Sequence, residues 1–170
     1  QMLGSVVHAC NKKPDLLICL VGTNDSRTQT NEGKAKPCIG IQESQDNVDS
    51  IASYATAHCD APLIWIAPPG VNEERIKNDW FIKSFFAFWD NQRIRDLSKY
   101  IVKKQKHVID LCPVFDSHTE LDLFLEDGLH WSLDGQKVAA KAIMKELSKI
   151  LQSVSQAKSA EINYKRSFQT

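Results

Sequence analysis

The sequence predicts an α/β domain built on a parallel sheet, and three observations carry that expectation. Short apolar runs at residues 15–21 (DLLICLV), 62–67 (PLIWIA) and 107–111 (HVIDL) have the length and composition of buried strands. Stretches of helical period separate them, and strands joined through helices pair in parallel with right-handed crossovers. A Gly-Thr-Asn-Asp turn at 22–25 follows the first run directly, at the strand end where open parallel sheets bind their ligands.

Taken in order, residues 3–9 read as the end of a helix, and Asn11-Lys12-Lys13-Pro14 as the break before the first strand. Its continuous apolar character predicts burial on both faces. Residues 27–40 are polar and read as an irregular surface loop. Residues 43–58 repeat Val48, Ile51, Ala52 and Ala55 at helical spacing. Pro68-Pro69-Gly70 stops the second strand. Residues 73–106 read as a long helical stretch, with room for a break near Asp90-Asn91. Trp80, Phe81, Phe85, Phe86, Phe88 and Trp89 exceed one helix face; most are expected in the core, with two or three walling a pocket. Residues 121–125 read as a short helix or turn, and 133–151 as a final amphipathic helix with Ser132 as its N-cap. Residues 1–152 thus form one domain, and 153–170 a polar, frayed tail.

The whole-chain properties exclude several function classes. At 170 residues the chain is long enough to bury a core. It balances 21 basic against 21 acidic residues, which is no footprint for nucleic acid or an anionic membrane. No apolar run approaches the roughly 20 residues of a membrane span. The five cysteines, Cys10, Cys19, Cys38, Cys59 and Cys112, form no C-x-x-C pair. Neither a disulfide framework nor a zinc site is expected, and a reducing, cytoplasmic compartment is favoured. Cys19 and Cys112 are expected to pack in strands as small apolar residues. Because the sequence opens on Gln1, a signal peptide is outside what it can show. His8 with Cys10 and His58 with Cys59 match no common metal-ligand spacing.

Two constellations carry chemistry. In the turn Gly22-Thr23-Asn24-Asp25, an Asn amide on a rigid corner supplies donors for a developing oxyanion without a charge of its own. The same residues also make an ordinary turn, since Asn and Asp bond their own backbone. In Asp127-Gly128-Leu129-His130, a carboxylate and an imidazole stand three positions apart where a loop meets a helix. The imidazole takes a proton from a hydroxyl, and the carboxylate fixes its tautomer. A solvated loop histidine is the plain alternative, as it is for Asp116 and His118 in the preceding loop.

The order Gly-x-Asn-Asp after a strand, then Asp-Gly-Leu-His-Trp-Ser-x-x-Gly before the last helix, resembles the SGNH (GDSL) hydrolases, most nearly the isoamyl-acetate-hydrolysing esterases. Pro68-Pro69, and Asn91 with Arg95, fit the same pattern, so the resemblance runs from about residue 3 to 151. It implies a flavodoxin-like three-layer α/β/α sandwich, hydrolysis of small-molecule carboxylic esters through a Ser-His-Asp triad, and no metal or organic cofactor. It assigns Asn24 to the oxyanion hole with Gly22 shaping its turn, Asp127 as the triad acid and His130 as the base. The family's opening Gly-Asp-Ser strand, which bears the nucleophile, does not precede Gly22. Ser5 follows Gly4 but lacks the Asp and the strand. The expectation is an N-terminally truncated hydrolase whose strand 15–21 forms an exposed, self-associating edge. The rival readings are a non-catalytic derivative serving as an interaction module, and a binding domain whose turn holds phosphate. The turn lacks the extra glycines of a phosphate cradle.

Overall fold

The computed structural model describes residues 2–31 and 34–167. In chain order the elements are α1 (Met2–Asn11), β1 (Leu17–Leu20), β2 (Arg27–Asn31), β3 (Lys34–Pro37), α2 (Ile41–His58), β4 (Leu63–Ala67), α3 (Glu73–Asn78), α4 (Trp80–Ser84), β5 (Ala87–Trp89), α5 (Asn91–Lys104), β6 (Val108–Asp110), α6 (Cys112–Asp116) and α7 (Leu133–Ser167). A one-turn 3-10 helix at Asn24–Ser26 lies between β1 and β2. No helix among the described residues is long and apolar enough to cross a membrane.

The three apolar runs form one parallel sheet in the order β1-β4-β6, with Leu17 opposite Leu63 and Trp65 opposite Val108. Side chains alternate across a strand, so each strand feeds two cores. On one face Leu17, Cys19, Trp65 and Ala67 meet Val6 and Cys10 of α1, Val48, Ile51 and Ala55 of α2, and Leu97 and Ile101 of α5. On the other, Ile64, Ile66 and Ile109 meet Phe115 of α6 and Val138 and Ala139 of α7. Helices on both faces of a parallel sheet make the flavodoxin-like sandwich the sequence implied.

Several local expectations are corrected. Residues 27–31 and 34–37 are not irregular: β2 pairs antiparallel with β3 on one side and with β5 on the other, forming a second small sheet. The stretch 73–106 is not one helix with a single break. Asp79 Oδ1 accepts from Ile82 N at 2.8 Å and restarts the chain as α4, and Asp90 Oδ1 caps α5 through Gln92 N at 2.8 Å. Between them Phe86 takes a positive φ of 51°, which ends α4 and turns the chain into β5. The aromatic run is mostly surface rather than core. Trp80, Phe85 and Phe86 are exposed, while Trp89 is buried and Phe88 is half-buried; the Phe81 side chain lies outside the described residues. Residues 121–125 form no helix, and Phe124 instead bridges Trp131. Cys112 opens α6 rather than lying in β6. The helix predicted to end near 151 continues as α7 to Ser167, and residues 168–170 lie outside the described residues.

Strand β1 departs from expectation in a way that matters for the site. Among the described residues it pairs only with β4. Leu17 and Cys19 are buried, but Ile18 and Leu20 are 49% and 45% exposed. The strand is therefore buried on one face, not two. An unpaired, apolar outer edge is a template for further strand pairing. The 170-residue chain is expected to self-associate as its concentration rises, which size-exclusion chromatography and thermal melting would register. A monodisperse monomer with a sharp cooperative transition at all concentrations contradicts this.

Candidate active site

The Gly-Thr-Asn-Asp turn is rigid because it bonds to itself. Asp25 N donates to Gly22 O at 3.2 Å, Ser26 N to Thr23 O at 3.2 Å, and the Ser26 hydroxyl to the same carbonyl at 2.7 Å. Gly22 sits at φ 114°, and a Cβ there would stand 2.8 Å from Leu97 Cδ2. Both the backbone angle and the close approach of α5 require glycine. Gly22 thus shapes the corner at the C-terminal end of β1, and Asn24 sits exposed just past it.

Strand β2 leaves this turn and pairs with β5, setting Arg27 opposite Trp89. The buried indole Nε1 donates to Asn24 Oδ1 at 3.4 Å. An indole N–H only donates, so the amide atom facing it is the oxygen. The Asn24 Nδ2, with two donors, is left for the other side.

The second constellation is held as tightly. Asp127 Oδ2 lies 2.6 Å from His130 Nδ1, and Asp127 Oδ1 accepts from Leu129 N at 2.8 Å and His130 N at 3.0 Å. Partial burial pushes the Asp127 carboxyl up. The His130 ring and the two backbone N–H groups outweigh it and hold the carboxyl below the usual aspartate range. An ionised carboxylate only accepts, so the neutral imidazole carries its proton on Nδ1 and leaves Nε2 as an acceptor. Gly128 turns the loop at φ 72°. Ser132 caps the helix that follows, its hydroxyl accepting from Gly135 N at 3.1 Å.

Residues of both constellations line one cavity of about 550 Å³, with Leu20, Thr23 and Asn24 on one side and Leu129, His130 and Trp131 on the other. A second cavity of about 560 Å³ lies behind the turn, against Met2, Leu3, Val48 and Ile51, and shares Leu20, Thr23 and Asn24 with the first. Only the first has both Asn24 and His130 on its walls; Gly22 and Asp25 line the second, and Asp127 stands behind His130 and lines neither. The walls of the first are mainly apolar, and among the described residues His130 is the one ionisable side chain lining it. Ser5 lies exposed on α1 and lines neither cavity. Asp116 pairs with Arg95 at 2.8 Å and His118 Nδ1 bonds Val114 O at 2.8 Å; neither faces the cavity.

Sequence reasoning missed two residues that hold the site in place. Trp89 is one of six aromatics in a run, and its burial and its hydrogen bond to Asn24 set it apart only in the fold. Arg75 reaches Asp122, 47 positions along the chain, and no local pattern announces that. In the sequence Asn91 stands out only as part of a motif pattern. Its amide clasps Val71, accepting from Val71 N at 2.7 Å and donating to Val71 O at 2.9 Å, and so fixes the loop after Pro68-Pro69.

The comparisons agree on architecture. No protein-family model matches the chain, and no curated protein matches it. Among solved structures, the lipase/acylhydrolase from Enterococcus faecalis is similar at a TM-score of 0.59 and 23% identity, over 81% of this chain and 63% of that one. LAE5, an alpha/beta hydrolase enzyme from the metagenome of Lake Arreo, Spain, is similar at 0.53 and 17% identity, over 80% of this chain and 61% of that one. The chain therefore spans about three-fifths of the length of each, and what it shares with both is the fold: a parallel sheet between two helical layers.

Proposed function

We propose that this chain is the larger part of an SGNH-type ester hydrolase, similar to the isoamyl-acetate-hydrolysing esterases, whose serine nucleophile lies N-terminal to Gln1. One observation carries the reading. Asn24 and His130, separated by most of the sequence, line one cavity, each oriented by a partner for the role the motifs give it. The exposed edge of β1 beside that cavity supports an added neighbouring strand.

In this reading the serine hydroxyl attacks the ester carbonyl while His130 Nε2 takes its proton. Asp127 holds the ring and stabilises the imidazolium. Asn24 Nδ2 donates to the carbonyl oxygen as it becomes negative. His130 then protonates the leaving alcohol, and water repeats the sequence to release the acid. No step draws on a metal or an organic cofactor. The apolar cavity wall suits an uncharged acyl or alcohol group.

The test compares two proteins on a short p-nitrophenyl ester. The 170-residue chain is expected to show negligible turnover, because a triad without its nucleophile retains only weak assistance. The protein extended to include its upstream serine strand is expected to turn over. Saturable hydrolysis by the 170-residue chain, abolished by a serine-directed phosphonate, contradicts the assignment of the nucleophile. A folded but inactive extended protein favours the rival reading, an SGNH-derived interaction module.

A further inference from the structure

The loop that carries Asp127 and His130 is a hairpin-like excursion. Ser132 N donates to Leu123 O at 3.0 Å, Leu125 N to His130 O at 2.8 Å, and Gly128 N to Leu125 O at 2.9 Å. These bonds give the loop its shape. They do not fix where it stands against the sheet, and so do not fix where His130 points.

Helix α3 supplies that reference. Asn72 N, just before the helix, donates to Gly128 O at 2.8 Å. A Cβ on Gly128 would stand 2.5 Å from Asn72 O and 2.7 Å from Arg75 Cβ, so the loop lies directly on the start of α3. Arg75 Nη1 then reaches Phe124 O at 2.8 Å and Leu125 O at 3.1 Å, while the fork closes on both Asp122 oxygens at 2.9 and 2.8 Å. Helix α3 is itself tied to α5, because Glu73 Oε1 accepts from Asn91 N at 2.7 Å.

We infer that Arg75 is the positioning residue of the Asp127–His130 pair, acting through its grip on the Phe124 and Leu125 carbonyls. The inference rests on the proposed function for its catalytic meaning but not for its geometry. The ion pair with Asp122 is not the operative part. Asp122 is 66% exposed, and such pairs are screened by water. Leu125 O also accepts from Gly128 N and so closes the turn in which Asp127 faces His130; the guanidinium thus grips that turn itself, holding both carbonyls with the carboxylate at once. An ammonium is a point donor and does not reproduce the fork.

The test reads the histidine rather than the fold. Two-bond proton–nitrogen spectra of the histidine-labelled 170-residue protein report which ring nitrogen carries the proton, and His130→Ala identifies the signal among the five histidines. Wild type is expected to hold the Nδ1–H tautomer. Arg75→Met is expected to invert the ratio toward Nε2–H, and Arg75→Lys to do the same although it keeps the charge opposite Asp122. Asp122→Asn is expected to match wild type. In the serine-bearing protein, Arg75→Lys is expected to lower kcat about 10²-fold at unchanged KM, the scale of a misplacement of about 1 Å. Should Arg75→Met fail to fold by circular dichroism, Arg75→Lys carries the decision. A wild-type tautomer ratio in a folded Arg75 variant overturns the inference. So does a loss in Asp122→Asn as large as that in Arg75→Lys. Because the tautomer readout needs no ester, failure of the hydrolase reading leaves it standing, and its own failure leaves that reading standing.

Discussion

Replacing His130 with alanine in the serine-bearing protein is expected to lower turnover on the order of 10⁴- to 10⁶-fold. The size follows from the ring's double duty. In the proposed mechanism it accepts the serine proton through Nε2 as the new bond forms, and returns it to the leaving alcohol. Neither transfer has a substitute on the cavity wall, where His130 is the one ionisable side chain among the described residues. The Asp127 carboxylate, 2.6 Å from Nδ1, cannot act in its place because it faces the other nitrogen. Partial burial raises the Asp127 carboxyl, but the His130 ring and two backbone N–H groups outweigh it and hold it below the usual range. A lowered carboxylate contributes to stability above its unfolded value, and that contribution is lost only as pH falls through the lower folded value. The measurement for His130→Ala is kcat at saturating ester. Wild-type turnover in His130→Ala would remove the residue from the mechanism.

Asn24→Ala is expected to cost roughly 10²- to 10³-fold in turnover with little change in substrate binding. An oxyanion donor strengthens its bond only as charge develops on the carbonyl oxygen, so its loss falls on kcat rather than KM. The proposed donor is held in place by its neighbours. Its carbonyl end is engaged by the Trp89 indole, and its turn is closed by the Ser26 hydroxyl. Donors fixed in advance need no reorganisation during the reaction. An increase in KM at unchanged kcat would show instead that Asn24 merely binds the ground state. Wild-type turnover in both variants would defeat the SGNH assignment itself.

The central sheet was legible because buried strands write themselves as uninterrupted apolar runs, and all three runs lie where expected. The second sheet was not. Residues 27–31 read Arg-Thr-Gln-Thr-Asn, and a strand made wholly of polar residues shows no apolar alternation to detect. The region 73–106 misled for the opposite reason. Its dense aromatics imitate a helical face, although Asn72, Asp79 and Asp90 stand at N-cap positions and each bonds a backbone N–H. Weighting those caps above the apolar period would have found the breaks. The half-exposed face of β1 was hidden because Asp15-Leu-Leu-Ile-Cys-Leu-Val reads the same whether one or two faces are covered. At the site, Asn24, Asp127 and His130 could be named because short loops bring their chemistry into local motifs. Trp89 and Arg75 act across 65 and 47 positions. Long-range partners of that kind leave no spacing to read.

In the proposed mechanism Asn24 and His130 serve one serine supplied from before Gln1. Labelling the serine-bearing protein with a serine-directed phosphonate, followed by peptide mapping, tests this. The expected result is a single phosphonyl group on one serine N-terminal to Gln1, with the labelling rate falling sharply in His130→Ala. Label on a serine within residues 1–170, or equal labelling rates with and without His130, would contradict it.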